Sequence, residues 1–249
     1  MKTMKNIFNK LKNSKIMETK SNNTKGWTAK EENKKQVNPG VPKVHNLIIV
    51  DESGSMSSIY NAALTGMNET LNTIRQLASD NEAQKQEVTL VTFDTSHYNK
   101  IFDSVPAKKT RILTQRDYRP GGCTPLYDAM GKALTELEPN VKENEAVLVT
   151  VITDGYENAS CEYSLRDIRA LVDRLDTQGW VFTYIGANQD SAAVGESMGI
   201  SDTLDFEANE DSMAEMWEKE RNSRVHFNEY MRQPAAAPQK YERGKFFKN

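Results

Sequence analysis

The sequence predicts an α/β layer fold with a mainly parallel central sheet. Short apolar runs typical of buried strands recur along the middle of the chain. Between them lie longer segments whose apolar residues repeat every three or four positions, the spacing of an amphipathic helix. Strands that alternate with helices favour parallel βαβ units. At 249 residues the chain is long enough for one substantial domain with extensions.

The first half of the predicted domain contains three strands and one helix. The first strand has the apolar core Leu47-Ile48-Ile49-Val50 and ends at Asp51. The following helix has apolar residues at spacings of three and four, and the next strand is rich in β-branched residues. We expect a strand at 44–50, a helix at 64–78, a strand at 88–93 and a short edge strand at 100–102.

The second half begins with a helix at Thr124-Pro125. Thr suits the N-cap and Pro suits the first helical position. The run 147–153 is almost entirely apolar and β-branched, which is typical of a central strand. We then expect a helix at 165–175, a strand at 180–185, a helix at 192–198 and a strand at 203–206.

Composition and charge divide the chain into four segments. Residues 1–43 carry eleven Lys and three Glu, a net charge of +8, whereas the remainder carries −11. We interpret 1–43 as a flexible basic arm. Residues 44–206 form the α/β domain, 207–231 a charged helix, and 232–249 a disordered basic tail after a Pro-Ala-rich linker.

Several classes of protein are disfavoured by the sequence. No apolar run approaches 18 residues, so we expect no membrane span. No apolar stretch follows the basic N-terminus, so we expect no secretory signal. Two cysteines, Cys123 and Cys161, then indicate a reducing, cytoplasmic location and free thiols. An alternative hypothesis is that oxidation of these thiols disables the site described next.

Three short pieces carry the chemistry of this chain: Asp51-Glu52-Ser53-Gly54-Ser55, Gly121-Gly122-Cys123-Thr124-Pro125 and Thr153-Asp154-Gly155. Two of them follow strands, and parallel strands end at one edge of a sheet, where ligands bind. The pieces offer carboxylates and hydroxyls, a set that suits a hard cation such as Mg²⁺, with Mn²⁺ as a second possibility. The predicted ligands are Asp51, Ser53, Ser55, Thr124 and Asp154.

This ligand set suggests recognition rather than turnover. Two carboxylates neutralise a divalent ion, and neutral hydroxyls leave it electrophilic. Because Mg²⁺ takes about six oxygen ligands, a carboxylate from another molecule can complete the shell. We therefore hypothesise a non-enzymatic module that binds an Asp or Glu of a protein partner through the metal.

The three pieces resemble the metal-ion-dependent adhesion site of the von Willebrand factor A domain family. That pattern is Asp-x-Ser-x-Ser, a distal Thr in a Gly-rich loop and a distal Asp before Gly, and each position is present here. The resemblance covers roughly residues 44–206 and implies a Rossmann-like three-layer sandwich with helices on both faces. It also implies a bacterial-type intracellular adaptor that works with an AAA+ ATPase or in a stress-response complex.

Two other functions stay open at the level of sequence. A metal-dependent phosphohydrolase could use a doubly wound sheet, but no Gly-x-x-x-x-Gly-Lys-Ser/Thr loop is present and Ser53 stands where a second carboxylate would be useful. Binding of nucleic acid or an anionic membrane through the basic arm would fall steeply with salt and vanish on deletion of 1–43. We disfavour nucleic acid.

Overall fold

The computed structural model describes residues 40–207, 209–234 and 240–248. Within these residues six strands form one sheet in the order β3-β2-β1-β4-β5-β6. The neighbouring pairs are parallel except β2 with β3, which is antiparallel at the edge. The predicted α/β fold with a mainly parallel sheet is confirmed. Most of the predicted basic arm lies outside the described residues.

The strands and helices follow the predicted order, with ends that differ by a few residues. The edge strand is longer than predicted, and its register with β2 is irregular, as expected of a bulged edge. The strands are β1 Lys43–Asp51, β2 Lys85–Phe93, β3 Tyr98–Pro106, β4 Ala146–Thr153, β5 Val181–Ala187 and β6 Asp202–Phe206. The helices are α1 Tyr60–Asp80, α2 Leu126–Leu137, α3 Leu165–Thr177, α4 Ser191–Ser197 and α5 Glu210–Arg232.

Two apolar layers hold helices against both faces of the sheet. Alternate residues of a strand point to opposite faces. On β1, Ile48 and Val50 face the layer shared with α1 and α5, whereas Leu47 and Ile49 face the layer shared with α2 and α3. By the same alternation Asp51 points to the α2 side. The three-layer arrangement places the first candidate ligand at the end of a central strand, beneath the start of α2.

Helices α1 and α5 pack closely because Gly66 of α1 has no side chain. A methyl group placed on Gly66 would lie 1.8 Å from the ring of Trp217 in α5. Met213, Met216 and Phe227 of α5 complete this layer and are buried. This packing makes α5 an integral part of the domain.

The prediction of a disordered tail at 232–249 is wrong for residues 240–248. Tyr241, Phe246 and Phe247 are buried in the layer that holds α1 and α5, and the Phe246 ring lies 6.2 Å from that of Phe227. Burial of three aromatic side chains stabilises this segment by the hydrophobic effect. Its basic composition alone does not indicate this burial.

Candidate metal centre

The first motif folds back on itself at the end of β1. Asp51 Oδ1 accepts a hydrogen bond of 2.7 Å from the backbone N–H of Ser53. Ser53 Oγ then lies 3.1 Å from Ser55 Oγ. Asp51 and Ser53 are buried and Ser55 is exposed, so the side chains lead from the sheet to the surface.

Asp154 reaches the same place from the end of β4. Ser55 Oγ donates to Asp154 Oδ1 at 2.6 Å, which joins the first and third motifs directly. The strand that carries Asp154 also secures Asp51, because Thr153 Oγ1 donates to Asp51 Oδ2 at 2.6 Å. The two carboxylates therefore lie on neighbouring strands, connected through hydroxyl groups.

Thr124 approaches this group across Gly155. A methyl group placed on Gly155 would lie 3.4 Å from Thr124 Oγ1 and 3.7 Å from Ser55 Oγ. The second motif is also tied to the first, since the backbone N–H of Gly54 donates to Gly122 O at 3.1 Å. Gly155 thus leaves room for hydroxyls from both motifs, and the five predicted residues occupy one region.

The predicted N-cap role of Thr124 is wrong. Helix α2 begins at Leu126 with Pro125 at the cap position, and that cap makes no side-chain hydrogen bond. Pro125 has a φ of −82° and a ψ of 65°, outside the helical region, so the helix starts one residue later than predicted. The Thr124 hydroxyl lies instead beside Gly155, among the candidate ligands.

The loop that follows Asp154 accepts hydrogen bonds from the free N–H groups at the start of α2. Thr124 N donates to Asn158 Oδ1 at 2.9 Å, Tyr127 N to Glu157 Oε2 at 3.0 Å, and Asp128 N to Ser160 Oγ at 3.1 Å. A helix start leaves such donors without intrahelical partners. The loop at 157–160 therefore supports the backbone around Thr124.

Asp128, in the first turn of α2, binds the same loop in the opposite direction. Its two carboxylate oxygens accept backbone N–H bonds of 2.7–2.8 Å from Cys161, Glu162 and Tyr163. The loop and the helix start therefore hold each other. An acidic residue in the first turn of a predicted helix was the signal in the sequence that could have indicated this role.

The two candidate carboxylates carry an electrostatic cost. Burial raises the pKa of the Asp51 carboxyl to about 6, against the lowering effect of hydrogen bonds from Thr153 and Ser53. Burial also raises the pKa of Asp154, against the hydrogen bond from Ser55. Among the described residues no Lys, Arg or His forms an ion pair with either one. Buried carboxylates without a cationic side chain fit a bound cation.

The type of donor also decides which cation fits. The described residues contain no group of three or more His, Cys, Asp or Glu placed to hold a metal. The candidate set has two carboxylates and three hydroxyls, all oxygen donors. This chemistry fits Mg²⁺ or Mn²⁺ and does not fit zinc, which prefers nitrogen and sulfur.

A cleft of about 320 Å³ opens beside the start of α2. Its lining includes the 94–98 turn, Pro125, Lys132 and Cys161. Cys123 and Cys161 are both exposed, free thiols. A redox link between them stays an alternative hypothesis.

The residues that follow β5 lead into α4. Asp190 caps α4, and its side chain accepts from Ala193 N at 2.9 Å. Asn188 adopts a positive φ of 52° before that helix. Asp190 therefore has a structural role at the start of α4.

Fold and site together define a Rossmann-like α/β domain with an oxygen-rich site at the carboxyl end of its sheet. Residues 47–216 match the family of the von Willebrand factor type A (VWA) domain. The chain therefore belongs to this family, whose members are typically non-enzymatic modules that bind protein partners. No curated protein is similar enough to the chain to count as a match.

Solved structures share the fold at low sequence identity. Proximal thread matrix protein 1 from the mussel byssus is 15% identical with a TM-score of 0.50, and the match covers 73% of this chain and 47% of that one. The VWA domain of SpRpn10 is 12% identical with a TM-score of 0.50, covering 69% and 92%. The vWF domain of the type V pili tip protein Mfa5 from Porphyromonas gingivalis is 11% identical with a TM-score of 0.54, covering 82% and 98%.

These likenesses concern the fold alone. The chain spans about half the length of the mussel byssus protein, 47%, and most of the length of the two isolated domains. In the part of the chain that the structure describes, none of the helices has both the length and the apolar character needed to cross a bilayer. The cytoplasmic location stays a prediction.

Proposed function

We propose that this VWA domain binds Mg²⁺ and uses the metal to hold a carboxylate of a protein partner. Mn²⁺ is the natural substitute. One observation carries the proposal: hydrogen bonds join the oxygen atoms of the first and third motifs at the ends of β1 and β4, and Thr124 Oγ1 of the second motif lies beside Gly155. The proposed ligands, bound directly or through water, are Asp51, Ser53, Ser55, Thr124 and Asp154.

When bound, the metal would supply an electrophilic centre that an incoming Asp or Glu can complete. The protein's own residues keep that centre in place. Thr153 orients the Asp51 carboxylate, Ser55 orients Asp154, and the loop at 157–160 secures the backbone around Thr124. Such preorganisation lowers the entropic cost of holding the partner. The same geometry makes us propose a binding module rather than an enzyme.

We further propose that the partner belongs to an intracellular multi-protein complex, for which an AAA+ ATPase or a stress-response assembly is our working choice. The support is the resemblance of the three motifs to intracellular adaptors of the family. Capture of proteins on the immobilised chain with Mg²⁺, compared with capture in excess EDTA, tests this part. Metal-independent capture would contradict it.

Calorimetry of the full chain with Mg²⁺ and Mn²⁺ tests the metal site. Asp51→Ala and Thr124→Ala should each abolish measurable binding, because each removes a ligand from a different loop. Asp190→Ala is the matched control, since it removes a helix-capping carboxylate outside the site and should leave affinity unchanged. Equal binding by wild type and both ligand variants would contradict the site.

A further inference from the structure

Two buried carboxylates and an exposed histidine lie just outside the proposed ligands. Glu52, between two of the ligands in the first motif, is 2% exposed, and Asp94 at the end of β2 is 7% exposed. The ring of His97 lies between these carboxylates, and its side chain is 38% exposed. Its Nε2 lies 2.8 Å from Glu52 Oε2 and its Nδ1 lies 3.0 Å from Asp94 Oδ1. We call these three residues the Glu52–His97–Asp94 cluster.

The histidine of this cluster joins two segments of the chain. His97 Nε2 makes a hydrogen bond with Glu52 Oε2, whereas Nδ1 lies beside Asp94 Oδ1. Among the described residues, His97 is the one basic side chain within ion-pair distance of Glu52 or Asp94. The imidazole is therefore a side-chain link between the residues that follow β1 and β2.

Glu52 connects this cluster to the loop that carries Thr124. Its carboxylate Oε1 accepts the backbone N–H of Arg119, and its backbone carbonyl accepts that of Gly121 at 2.8 Å. Its own N–H donates to Phe93 O at 2.8 Å. Glu52 thus joins β2, the end of β1 and the start of the Gly121–Thr124 loop.

The turn that contains His97 also touches this loop directly. Thr95 Oγ1 accepts the backbone N–H of Cys123 at 3.2 Å. Gly122 has a positive φ of 67°, and a methyl group on it would lie 2.6 Å from Thr95 Oγ1. The turn therefore packs directly against the loop at Gly122 and Cys123. The position of the turn depends on Asp94, whose Oδ1 also accepts the N–H groups of Ser96 and His97.

We propose that His97 is a positioning residue of the metal site. Its ring lies between Glu52 and Asp94, and through them it keeps the Gly121–Thr124 loop against the Asp51–Ser55 segment. None of the three residues of the cluster is a proposed ligand. The inference rests on the proposed metal function and adds a residue that acts on Thr124 through the loop.

The decisive variant is His97→Gln, which can contact only part of the cluster. We expect Mg²⁺ affinity, measured by calorimetry on the full chain, to fall about 10-fold, as for losses of residues that support metal ligands. Glu52→Gln should have a similar effect and serves if His97→Gln does not fold.

The chain provides a matched control at the opposite end of β1, the strand that precedes Glu52. His45 also lies between two carboxylates, with Nε2 2.8 Å from Glu145 Oε2 and Nδ1 3.5 Å from Glu87 Oε2. Its side chain is 3% exposed, so His45→Gln disturbs a His–carboxylate contact that is more deeply buried than that of His97. We expect that variant to lose stability and to keep wild-type Mg²⁺ affinity.

Nuclear magnetic resonance separates this inference from the proposed function. Backbone amide signals of residues 119–124 should shift in His97→Gln and stay in place in His45→Gln. If the wild type failed to bind Mg²⁺, the proposed function would be lost, and these signals would still test the positioning role of His97. Unshifted 119–124 signals in His97→Gln would overturn that role.

Discussion

Single residues around the candidate metal centre differ mainly in whether their oxygen atoms are charged. Asp51 is fully buried and Asp154 partly so, and burial raises the pKa of both carboxyl groups. A buried carboxylate persists as an anion only where hydrogen bonds or a cation stabilise it. The Thr153 hydroxyl is therefore as much a part of this site as the proposed ligands, although it is no ligand itself.

Replacement of Thr153 by Val tests this role. The variant keeps the shape of the side chain and removes the 2.6 Å hydrogen bond to Asp51 Oδ2. We expect Mg²⁺ affinity to fall about 10-fold, because the Asp51 carboxylate loses the group that orients it. Titration calorimetry measures the change.

Two controls accompany that measurement. Thr153→Ser restores the hydroxyl and should restore most of the affinity. Thr183→Val removes another buried hydroxyl of the sheet, which lies away from the site and donates to Val149 O at 3.1 Å. This variant should leave the Mg²⁺ affinity unchanged. An effect of Thr183→Val equal to that of Thr153→Val would mean that the loss is a general effect of sheet hydroxyls.

Among the elements, helix α5 departs most from its sequence pattern. Its many charged residues suggest a solvated helix, yet Arg224 and Glu220 are fully buried. Arg224 Nε donates to Glu220 Oε1 at 2.8 Å, Nη1 to Asn46 Oδ1 at 2.7 Å and Nη2 to Thr150 Oγ1 at 2.9 Å. One guanidinium thus links α5 to the two central strands, β1 and β4.

Removal of one member of this buried pair should be costly. We expect Arg224→Ala to lower the free energy of unfolding by about 3–5 kcal/mol, because Glu220 would stay buried without a counter-ion. Urea denaturation measures the loss. Arg221→Ala is the matched control, since its ion pair with Glu218 is exposed at 3.7 Å and should contribute less than about 1 kcal/mol. Similar losses would contradict a special role for Arg224.

At the scale of the whole molecule, the terminal segment 240–248 closes the domain. The N–H groups of Gly244 and Phe246 donate to the two carboxylate oxygens of Asp202, at 2.9 Å and 2.7 Å. Phe246 itself is fully buried against Phe227 and Tyr241. The segment therefore joins β6 to α5 at the amino end of β6, opposite the end of the sheet that carries the candidate ligands.

Truncation of Phe246 should destabilise the entire domain. We expect Phe246→Ala to lower the free energy of unfolding by about 3–5 kcal/mol, the usual cost of removing a buried aromatic ring. Thermal or urea unfolding of the full chain gives the value. Glu242→Ala, in the same segment but 77% exposed, should change it by less than about 1 kcal/mol. A Phe246→Ala chain as stable as wild type would show that the segment is dispensable.

The sequence by itself determined the fold class and the family. Apolar runs such as Val147–Thr153 need a buried strand, and helical spacing such as that of Leu64–Ala78 needs one apolar face, so both patterns indicate the layers without knowledge of contacts. The three motifs also predicted which side chains could hold a metal. The identity of the metal ligands and the role of Mg²⁺ stay predictions, which the variants above test.

Tertiary structure alone decided the supports of the site and the fate of the charged segments. Glu52, Thr153 and Glu157 are ordinary polar residues in sequence, and their roles arise from partners that are distant along the chain. Arg224 and Phe246 lie in segments whose composition indicates solvent exposure, yet both are buried. Composition reports the average preference of a segment, whereas burial depends on the few side chains that meet a complementary surface.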